Sequence, residues 1–280
     1  MQLVKFSSHL TQEIEQIKAY NKTIGFIPTM GALHEGHLSL VKAAKDTCEV
    51  VVVSIYVNPT QFNKKEDLDK YPRALEQDME LLKGYADIIF NPKSDVEIYG
   101  DEIQLKAYDF GKLDEPLEGA FRPGHFKGMA NVVSKFFSLI QPDKAFFGLK
   151  DYQQYVLVKE MVKIDGHPVE VIGSPTVRET SGLAMSSRNR RLSPKALDAA
   201  SVIYYTLTYC KQYAQHIPLN QLKETGLHML KNIMQTEYLE FRTADTLEEY
   251  EHLKDGDNVF LSYAGVIEGV RLIDNIVFEV

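Results

Sequence analysis

Cysteine, tryptophan and long apolar runs are scarce or missing in this sequence. Only Cys48 and Cys210 occur among its 280 residues, and there is no tryptophan. Two cysteines are too few for a disulfide framework, and they do not form a metal-binding spacing. The longest apolar run, about 50–57, contains a serine and is far shorter than the roughly 20 residues of a transmembrane helix. Because residues 1–6 also lack a signal-peptide pattern, we expect a cytoplasmic protein with no membrane partner.

An excess of positive charge is missing as well. The chain has 31 basic and 39 acidic residues, which gives a formal net charge of -8. Proteins that bind along a nucleic acid need a basic surface to neutralise the phosphates, so we expect no nucleic-acid partner. A small anionic ligand needs only a few local cations and is compatible with this charge. The hydrophobic fraction of 44% is typical of a globular protein with a substantial core.

Two kinds of apolar segment alternate through the first 175 residues. Short, continuous segments rich in β-branched or aromatic residues are typical of buried strands: Ile24–Ile27, Val50–Val57, Ile88–Phe90, Ala145–Phe147 and Val169–Ile172. Segments with apolar residues at helical spacing lie between them: Gly36–Thr47, Arg73–Lys83, Gly128–Ile140 and Tyr152–Ile164. This alternation predicts an α/β fold in residues 1–175, with a Rossmann-like parallel sheet and helices on both faces. Such sheets bind ligands at the carboxyl ends of their strands.

The pattern changes after residue 175. Ser193-Pro194 is typical of an N-cap followed by a first-turn proline, and it predicts a helix that runs to about Gln215. A second helix is predicted from Leu219 to Gln235. Three short strand candidates follow: Tyr238–Arg242, Asn258–Tyr263 and Val270–Phe278. We therefore expect a smaller C-terminal α+β domain at 176–280.

The stretch PTMGALHEGH, residues 28–37, follows the first predicted strand and carries His34 and His37. Metalloprotease helices bind zinc through H-E-x-x-H, with the histidines four positions apart, whereas these two are three apart with a glycine between them. A pair of loop histidines without function is a second reading. We favour a third, because Gly31 and Gly36 let a ligand approach the backbone at the start of a helix, where phosphate binds well. Imidazole N–H groups can also donate to phosphate oxygens.

Two further stretches place polar side chains directly after predicted strands. In YVNPTQF, the amide of Gln61 suits a substrate that bears a hydroxyl and a carboxylate. In FFGLKDYQQ, Lys150 can direct a flexible cation at phosphate, and Asp151 can cap the helix that follows. Gln154 lies one helical turn from Asp151, on the same face. A surface glutamine and a solvated Lys-Asp pair are the alternatives.

The stretch GLAMSSRN lies at the predicted domain boundary. The hydroxyls of Ser186 and Ser187 and the guanidinium of Arg188 suit a polyphosphate, although serine-rich segments also serve as polar linkers. The stretch RPGHF, with Arg122 and His125 close to glycines, predicts a flexible rim of the same crevice.

His34-x-Gly36-His37 resembles the H-x-G-H signature of the nucleotidyltransferase superfamily, which includes class I aminoacyl-tRNA synthetases. Five stretches in order resemble the pantothenate synthetase (pantoate–β-alanine ligase) family over the whole chain: PTMGALHEGH, NPTQF, FFG-x-KDYQQ, RPGHF and GLAMSSRN. In the C-terminal domain the resemblance rests chiefly on length and pattern. Two positions depart from the family. Leu149 stands where many members have Glu, and Ser181 stands where relatives often have an acidic residue.

The resemblance implies an ATP-dependent condensation of (R)-pantoate with β-alanine through a pantoyl adenylate, with release of AMP and pyrophosphate. The residues that it implies for ATP binding are Met30, Gly31, Ala32, Leu33, His34, Glu35, Gly36, His37, Gly148, Leu149, Lys150, Asp151, Val177, Met185, Ser186, Ser187 and Arg188. Those that it implies for catalysis are His34, His37, Lys150 and Arg188, with His37 as proton donor. Gln61 and Gln154 would bind pantoate, and Gln61 would also contact β-alanine.

The resemblance further implies a metal ion, a homodimer and a moving part. Mg²⁺ is expected to accompany ATP, and Asp78 matches a position tied to the metal in relatives, with an exposed acidic residue on a helix as the alternative. An acyl adenylate hydrolyses easily, so an element that closes over it and excludes water is useful. We expect the MSSR segment, residues 185–188, and the domain at 176–280 to act as this lid.

Two other functions fit part of the same pattern. A nucleotidyltransferase that moves AMP or CMP onto a phosphorylated acceptor would need Arg or Lys where this chain has Gln61 and Gln154. An ATP-binding regulatory module would not need both histidines together with Lys150 and Arg188. The sequence therefore favours the ligase.

Overall fold

The computed structural model describes residues 1–62 and 65–280, which form two compact units. The first unit consists of Met1–Leu149 and Gln153–Pro175. The second consists of Lys150–Tyr152 and Thr176–Val280. The chain therefore passes between the units three times, because the short segment Lys150–Tyr152 belongs to the second unit.

A parallel sheet of six strands forms the centre of the first unit. Its strands are β1 (Gln2–Val4), β2 (Ile24–Thr29), β3 (Val50–Ile55), β4 (Ile88–Phe90), β5 (Lys144–Gly148) and β6 (Glu170–Ser174). Their order in the sheet is β1-β4-β3-β2-β5-β6. The strand order reverses between β2 and β5, and in open parallel sheets ligands bind at the carboxyl ends of the strands on either side of this point.

Helices cover both faces of this sheet, as predicted. They are α1 (Ser7–Ala19), α2 (Glu35–Thr47), α3 (Lys65–Asp69), α4 (Leu75–Leu82), α5 (Val96–Tyr99), α6 (Glu118–Phe121), α7 (His125–Ile140) and α8 (Tyr152–Asp165). Successive strand residues enter different cores, because their side chains alternate across the sheet. In β3, Val52 belongs to the core that contains Phe136 of α7, whereas Val53 belongs to the core that contains Val41 of α2.

The first strand and the first helix were not predicted. β1 has three residues, which is too short to give a period. α1 buries only Leu10 and Ile14, so its apolar face is narrow. Both elements are held by tertiary contacts: β1 pairs with β4, and Leu10 packs into the core that also contains Phe90.

A three-stranded antiparallel sheet and three helices form the second unit. The helices are α9 (Pro194–Ala199), α10 (Val202–Tyr213) and α11 (Leu219–Leu230). The strands are β7 (Gln235–Thr243), β8 (Asn258–Ile267) and β9 (Val270–Glu279), in the order β7-β8-β9. Leu207 and Leu222 of the helices pack with Leu239 and Leu261 of the sheet. The predicted α+β organisation of this part is therefore present.

Two predicted helix boundaries in this unit were wrong. The helix expected from Ser193 to about Gln215 begins as predicted, with the Ser193 Oγ accepting from the Ala196 N–H at 3.2 Å, but it is broken after α9. At the break, Ser201 Oγ donates to the Asp198 carbonyl at 2.6 Å, and such side-chain bonds compete with a continuous helix. Gln235, expected to end α11, starts β7 because the strand pairing with β8 extends to it. Across the described part of the chain, no helix has the length and apolar character needed to cross a membrane.

Candidate active site

The two histidines of PTMGALHEGH lie at the start of α2, directly after the loop that follows β2. His34 is the N-cap residue, and its Nδ1 accepts from the Gly36 N–H at 3.1 Å. The His37 Nδ1 accepts from the His34 N–H at 3.3 Å, so the two side chains complete a reciprocal capping box. Their ring centroids are 4.1 Å apart.

These capping bonds determine which nitrogen of each ring carries the proton. A backbone N–H can only donate, so Nδ1 of His34 and Nδ1 of His37 must both be acceptors. In a neutral imidazole the proton is then on Nε2. Both rings consequently carry an Nε2–H donor beside a helix N-terminus, which is the arrangement that an oxyanion needs.

Asp78 of α4 fixes the loop that precedes these histidines. Its carboxylate accepts from the Ala32 N–H at 2.9 Å and from the Leu33 N–H at 2.7 Å, and the residue is 2% exposed. Ala32 has φ of 51°, a left-handed conformation that is unfavourable for a residue with a Cβ. Gly31, with φ of 82°, lies so close that a Cβ there would be 3.1 Å from Asp78 Oδ2. The buried carboxylate thus holds the loop in a conformation that its sequence alone would not favour.

Gln61 lies beside the same loop. Asn58 caps the 3₁₀ turn Pro59–Gln61 after β3, and the Gln61 amide contacts Met30 Sδ at 2.9 Å. Asn58 Nδ2 donates to Gln61 Oε1 at 3.2 Å, and Asn58 Oδ1 accepts from the Tyr99 hydroxyl at 2.8 Å. Burial raises the pKa of Tyr99, which keeps its hydroxyl protonated as a donor. The structure therefore brings Met30 and Gln61 together, with the Gln61 side chain held by a buried polar network.

The RPGHF stretch, residues 122–126, leads from a turn into α7, and its role as a flexible rim stays a prediction. His125 is the first residue of α7 and is 6% exposed. Its Nδ1 lies 2.9 Å from the Gln61 carbonyl, which can only accept, so the Nδ1–H donates. One turn along α7, a Cβ on Gly128 would lie 2.2 Å from the Thr60 carbonyl. The absence of a side chain at Gly128 lets α7 pack directly on the turn that carries Gln61.

The two adjacent glutamines of FFGLKDYQQ have different environments. Gln153 is 3% exposed, accepts from the Glu118 N–H at 3.1 Å, and donates to the carbonyls of Leu113 and Pro116 at 2.9 Å each. Gln154 is half-buried. Gln153 therefore has a structural role, and Gln154 is the member of the pair that remains a candidate for substrate binding.

Gly148 ends β5, and Leu149 follows it in the first unit. The Leu149 side chain packs on Gly173 of β6, where a Cβ would lie 2.6 Å from Leu149 Cδ2. The apolar side chain of Leu149 is therefore accommodated against β6.

Lys150, Asp151 and Tyr152 belong to the second unit. The Lys150 carbonyl accepts from Asn275 Nδ2 of β9 at 2.7 Å. The Tyr152 hydroxyl donates to the Ala244 carbonyl at 3.0 Å, and its ring stacks on Phe260 with centroids 4.6 Å apart. Asp151 is exposed, in the 3₁₀ turn before α8.

The segment that leads to the Ser-Ser-Arg stretch is a small hairpin in the second unit. The Met185 N–H donates to the Val177 carbonyl at 3.0 Å, and Arg178 forms a bridge with Ala184. Ser186 then caps the 3₁₀ turn Ser187–Arg191 by accepting from the Arg188 N–H at 3.3 Å. Val177, Met185, Ser186, Ser187 and Arg188 are thus brought together, as are Met30–His37 and Gln61 in the first unit.

Among the side chains that the structure describes, no three from His, Cys, Asp and Glu are grouped so that they could hold a metal ion. Both oxygens of Asp78 accept backbone N–H groups. The carboxylate is therefore better suited to holding the loop than to coordinating a cation directly.

Several side chains that shape the site were not identified from the sequence. Asn58 was interpreted only as a turn residue, although it orients Gln61. Asp78 was considered as a metal ligand or as an exposed helix acid; the second reading was wrong, because the residue is buried against the loop. Asp274 and Asn275, near the end of the chain, contact segments that carry candidate ATP residues. The sequence does show two adjacent polar residues in the middle of the β9 segment. It does not show their partners, which are 96 and 125 positions away.

The chain is similar to known proteins over nearly its whole length. A family model described as pantoate-beta-alanine ligase matches residues 2–277. A pantothenate synthetase of Christiangramia forsetii is 43% identical, with 99% of each chain covered. One of Cytophaga hutchinsonii is 46% identical, with 96% of this chain and 95% of the relative covered.

Solved structures give the same result. The crystal structure of pantothenate synthetase from Thermus thermophilus has a TM-score of 0.91 and 39% identity, with 99% of each chain covered. The crystal structure of the Francisella tularensis pantoate-beta-alanine ligase, complexed with beta-gamma ATP and beta-alanine, has a TM-score of 0.81 and 36% identity. The match covers 99% of this chain and 97% of the Francisella chain.

Proposed function

Since the chain belongs to the pantoate–β-alanine ligase family, we propose that it condenses (R)-pantoate with β-alanine to give pantothenate. The reaction consumes ATP and releases AMP and pyrophosphate. A carboxylate does not react with an amine at neutral pH unless it is activated, so two steps are needed.

In the first step a pantoate carboxylate oxygen attacks the α-phosphorus of ATP. A new P–O bond forms, the bond to the bridging oxygen breaks, and pyrophosphate leaves with its electron pair. The product is pantoyl adenylate. Negative charge on the phosphate oxygens shifts during this step, so positioned N–H donors and cations accelerate it. We assign the donors to His34 and His37, with His37 as proton donor, and the cations to Lys150 and Arg188.

In the second step the β-alanine amine attacks the acyl carbon of pantoyl adenylate. The C–N bond forms, the C–O bond to AMP breaks, and the nitrogen loses a proton. Gln61 and Gln154 are assigned to pantoate, and Gln61 also to β-alanine. Amide groups can donate to a carboxylate and accept from a hydroxyl, which suits both substrates.

The reciprocal cap of α2 is the observation that carries this proposal. It directs the protons of His34 and His37 to Nε2, at the carboxyl end of a strand beside the reversal in strand order. A metal site would require a nitrogen lone pair from each ring, whereas an α-phosphate requires N–H donors. The geometry therefore supports phosphate binding over the zinc alternative.

The remaining assignments follow from the same family. Ser186 and Ser187 are assigned to the polyphosphate and the Val177 backbone to adenine. Mg²⁺ is proposed to accompany ATP as part of the substrate, where it would offset the negative charge of the phosphates. A homodimer in the cytoplasm, and a lid formed by 176–280 with the MSSR segment, belong to the proposal as well.

Pyrophosphate–ATP exchange tests the function directly. Purified protein is incubated with Mg²⁺, ATP and labelled pyrophosphate, with pantoate but without β-alanine. We expect label to enter ATP only when pantoate is present, because adenylate formation is reversible. If the folded protein gives neither exchange nor AMP after β-alanine is added, the assigned acid substrate is wrong.

A further inference from the structure

We propose that two adjacent residues of β9, Asp274 and Asn275, position the phosphate-binding groups of the second unit. We call this pair the β9 anchor. The inference rests on the proposed function, because it assigns Lys150 and the Ser-Ser-Arg stretch to ATP. It concerns residues that do not touch the nucleotide themselves, so they are positioning residues.

Asn275 holds the backbone of Lys150. Its Nδ2 donates to the Lys150 carbonyl at 2.7 Å, and the residue is 6% exposed. This bond joins positions that are 125 residues apart in the sequence. Lys150 lies in a short 3₁₀ turn, where the chain is present in the second unit for only three residues. A hydrogen bond to the Lys150 carbonyl therefore fixes the backbone position from which the flexible lysine side chain extends.

Asp274 holds the hairpin that leads to Ser186. Its two carboxylate oxygens accept from Arg178 Nη1 at 2.6 Å and from Arg178 Nη2 at 2.9 Å, a bidentate pair. The same guanidinium donates to the Gly182 carbonyl at 3.1 Å and to the Asn275 carbonyl at 3.3 Å. It also stacks on the Tyr204 ring, 3.8 Å from its centroid. Arg178 is thus fixed on several sides, and the hairpin with it.

The anchor is also linked electrostatically to the lysine. Burial raises the pKa of the Asp274 carboxyl, and the positive charges of Arg178 and Lys150 oppose this rise. A buried carboxylate that loses its guanidinium is strongly unfavourable, so the Asp274–Arg178 pair cannot open without cost. One dipeptide therefore fixes both segments to which we assign phosphate contacts.

The first test replaces Asn275 with aspartate, which has the same shape but cannot donate to the Lys150 carbonyl. We expect N275D to lower the pantoate-dependent exchange rate about tenfold to a hundredfold at saturating substrates, because small misplacements of catalytic groups have effects of this size. Leu222→Ala is the matched control. Leu222 is fully buried in the apolar core of the second unit, and its side chain makes none of the hydrogen bonds of the anchor, so its truncation weakens the fold but leaves the bond to Lys150 in place.

A double-mutant cycle separates positioning from general destabilisation. If Asn275 acts through Lys150, N275D should have almost no further effect on exchange in a Lys150→Ala background. If N275D lowers the exchange rate by the same factor in the wild-type and Lys150→Ala backgrounds, the proposal is overturned. An N275D variant with the wild-type exchange rate would also overturn it. So would a Leu222→Ala variant that loses as much exchange activity as N275D when both are assayed well below their unfolding temperatures.

Arg178→Lys keeps the test valid if N275D does not fold. Lysine retains the charge beside Asp274 but cannot make the bidentate pair. We expect its exchange rate to fall at least tenfold while its circular dichroism stays that of the wild type, and an unchanged rate would contradict the role of Asp274.

The exchange reaction of the wild-type protein shows whether the proposed function or only the anchor has failed. Without pantoate-dependent exchange in the wild type, the proposed function fails and the anchor with it; with exchange, failure of the variants rejects the anchor alone.

Discussion

His34 and His37 hold each other at the start of α2, because the His37 Nδ1 accepts from the backbone N–H of His34 at 3.3 Å. Each ring thereby uses its Nδ1 for the helix cap and keeps its proton on Nε2. The capping role and the proposed catalytic role of each imidazole thus depend on different nitrogen atoms. Substitutions that replace one nitrogen at a time can separate the two roles.

His37→Ala is expected to lower pantoate-dependent exchange by about a hundredfold or more, the usual scale for loss of a transition-state donor. Asparagine at this position has an acceptor where Nδ1 was, and glutamine has a donor near the place of Nε2. We therefore expect His37→Asn to recover thermal stability but not activity, and His37→Gln to recover part of the activity. The reverse pattern of recovery would show that the cap, and not the donor, limits the rate.

Asp78→Asn tests whether this buried side chain holds the loop or binds the metal. An amide has one acceptor oxygen in place of two, so one of the N–H groups of Ala32 and Leu33 loses its partner. We expect exchange to fall at least tenfold, with no change in the Mg²⁺ concentration that gives half-maximal activity. Glu80→Gln, an exposed carboxylate on the same helix, serves as control and should behave as the wild type. A higher Mg²⁺ requirement in Asp78→Asn alone would favour a metal ligand.

Alanine substitutions of the adjacent residues Gln153 and Gln154 should have different effects, one on stability and the other on substrate binding. Gln153→Ala removes the bonds that this buried amide donates to the carbonyls of Leu113 and Pro116 and accepts from the Glu118 N–H, so the free energy of unfolding should fall by about 1–3 kcal/mol. Gln154→Ala should leave the stability unchanged but raise the KM for pantoate at least tenfold. Urea unfolding and steady-state kinetics of both variants measure the two effects. Loss of pantoate affinity in Gln153→Ala alone would reverse the assignment.

The carboxylate of Asp165 should make the first unit sensitive to acid. Burial tends to raise the pKa of Asp165, but hydrogen bonds from Lys106, Ser134 and Tyr108 outweigh it and lower this pKa below its usual value. A carboxyl with a lowered folded-state pKa stabilises the fold above its unfolded-state pKa, near 4, and this stabilisation is lost as the pH falls through the folded-state value. We expect the urea midpoint to fall below pH 4 less steeply in Asp165→Asn than in the wild type. Parallel slopes of the midpoint against pH would contradict this.

The sequence predicted the fold well where the signal is local. The continuous apolar runs of β2, β3 and β4 and the helical spacing of apolar residues in α2 gave the type and nearly the bounds of each element. It failed where an element depends on distant partners. β1 is defined by pairing with β4, and Gln235 starts β7 because it pairs with Val266 of β8.

The site shows the same division between local and distant causes. A histidine at an N-cap and a glutamine after a strand can be recognised locally, so His34, His37 and Gln61 could be proposed from the sequence. The residues that orient them could not, because the bonds from Asp78 to the loop span 45 and 46 positions and the bond from His125 to Gln61 spans 64. A polar residue in an apolar pattern indicates that a partner exists but not which one.

The segment Lys150–Tyr152 belongs to the second unit, and this affects the order in which parts of the chain can fold during synthesis. Ribosomes release a chain from its N-terminus, at about 5–20 residues per second, and sheets can begin to form as their strands emerge. The Lys150 carbonyl, however, receives its partner from Asn275, and Tyr152 stacks on Phe260. Asn275 is made 125 residues after Lys150. A nascent chain can therefore complete its parallel sheet before the segment around Lys150 is bound to β8 and β9.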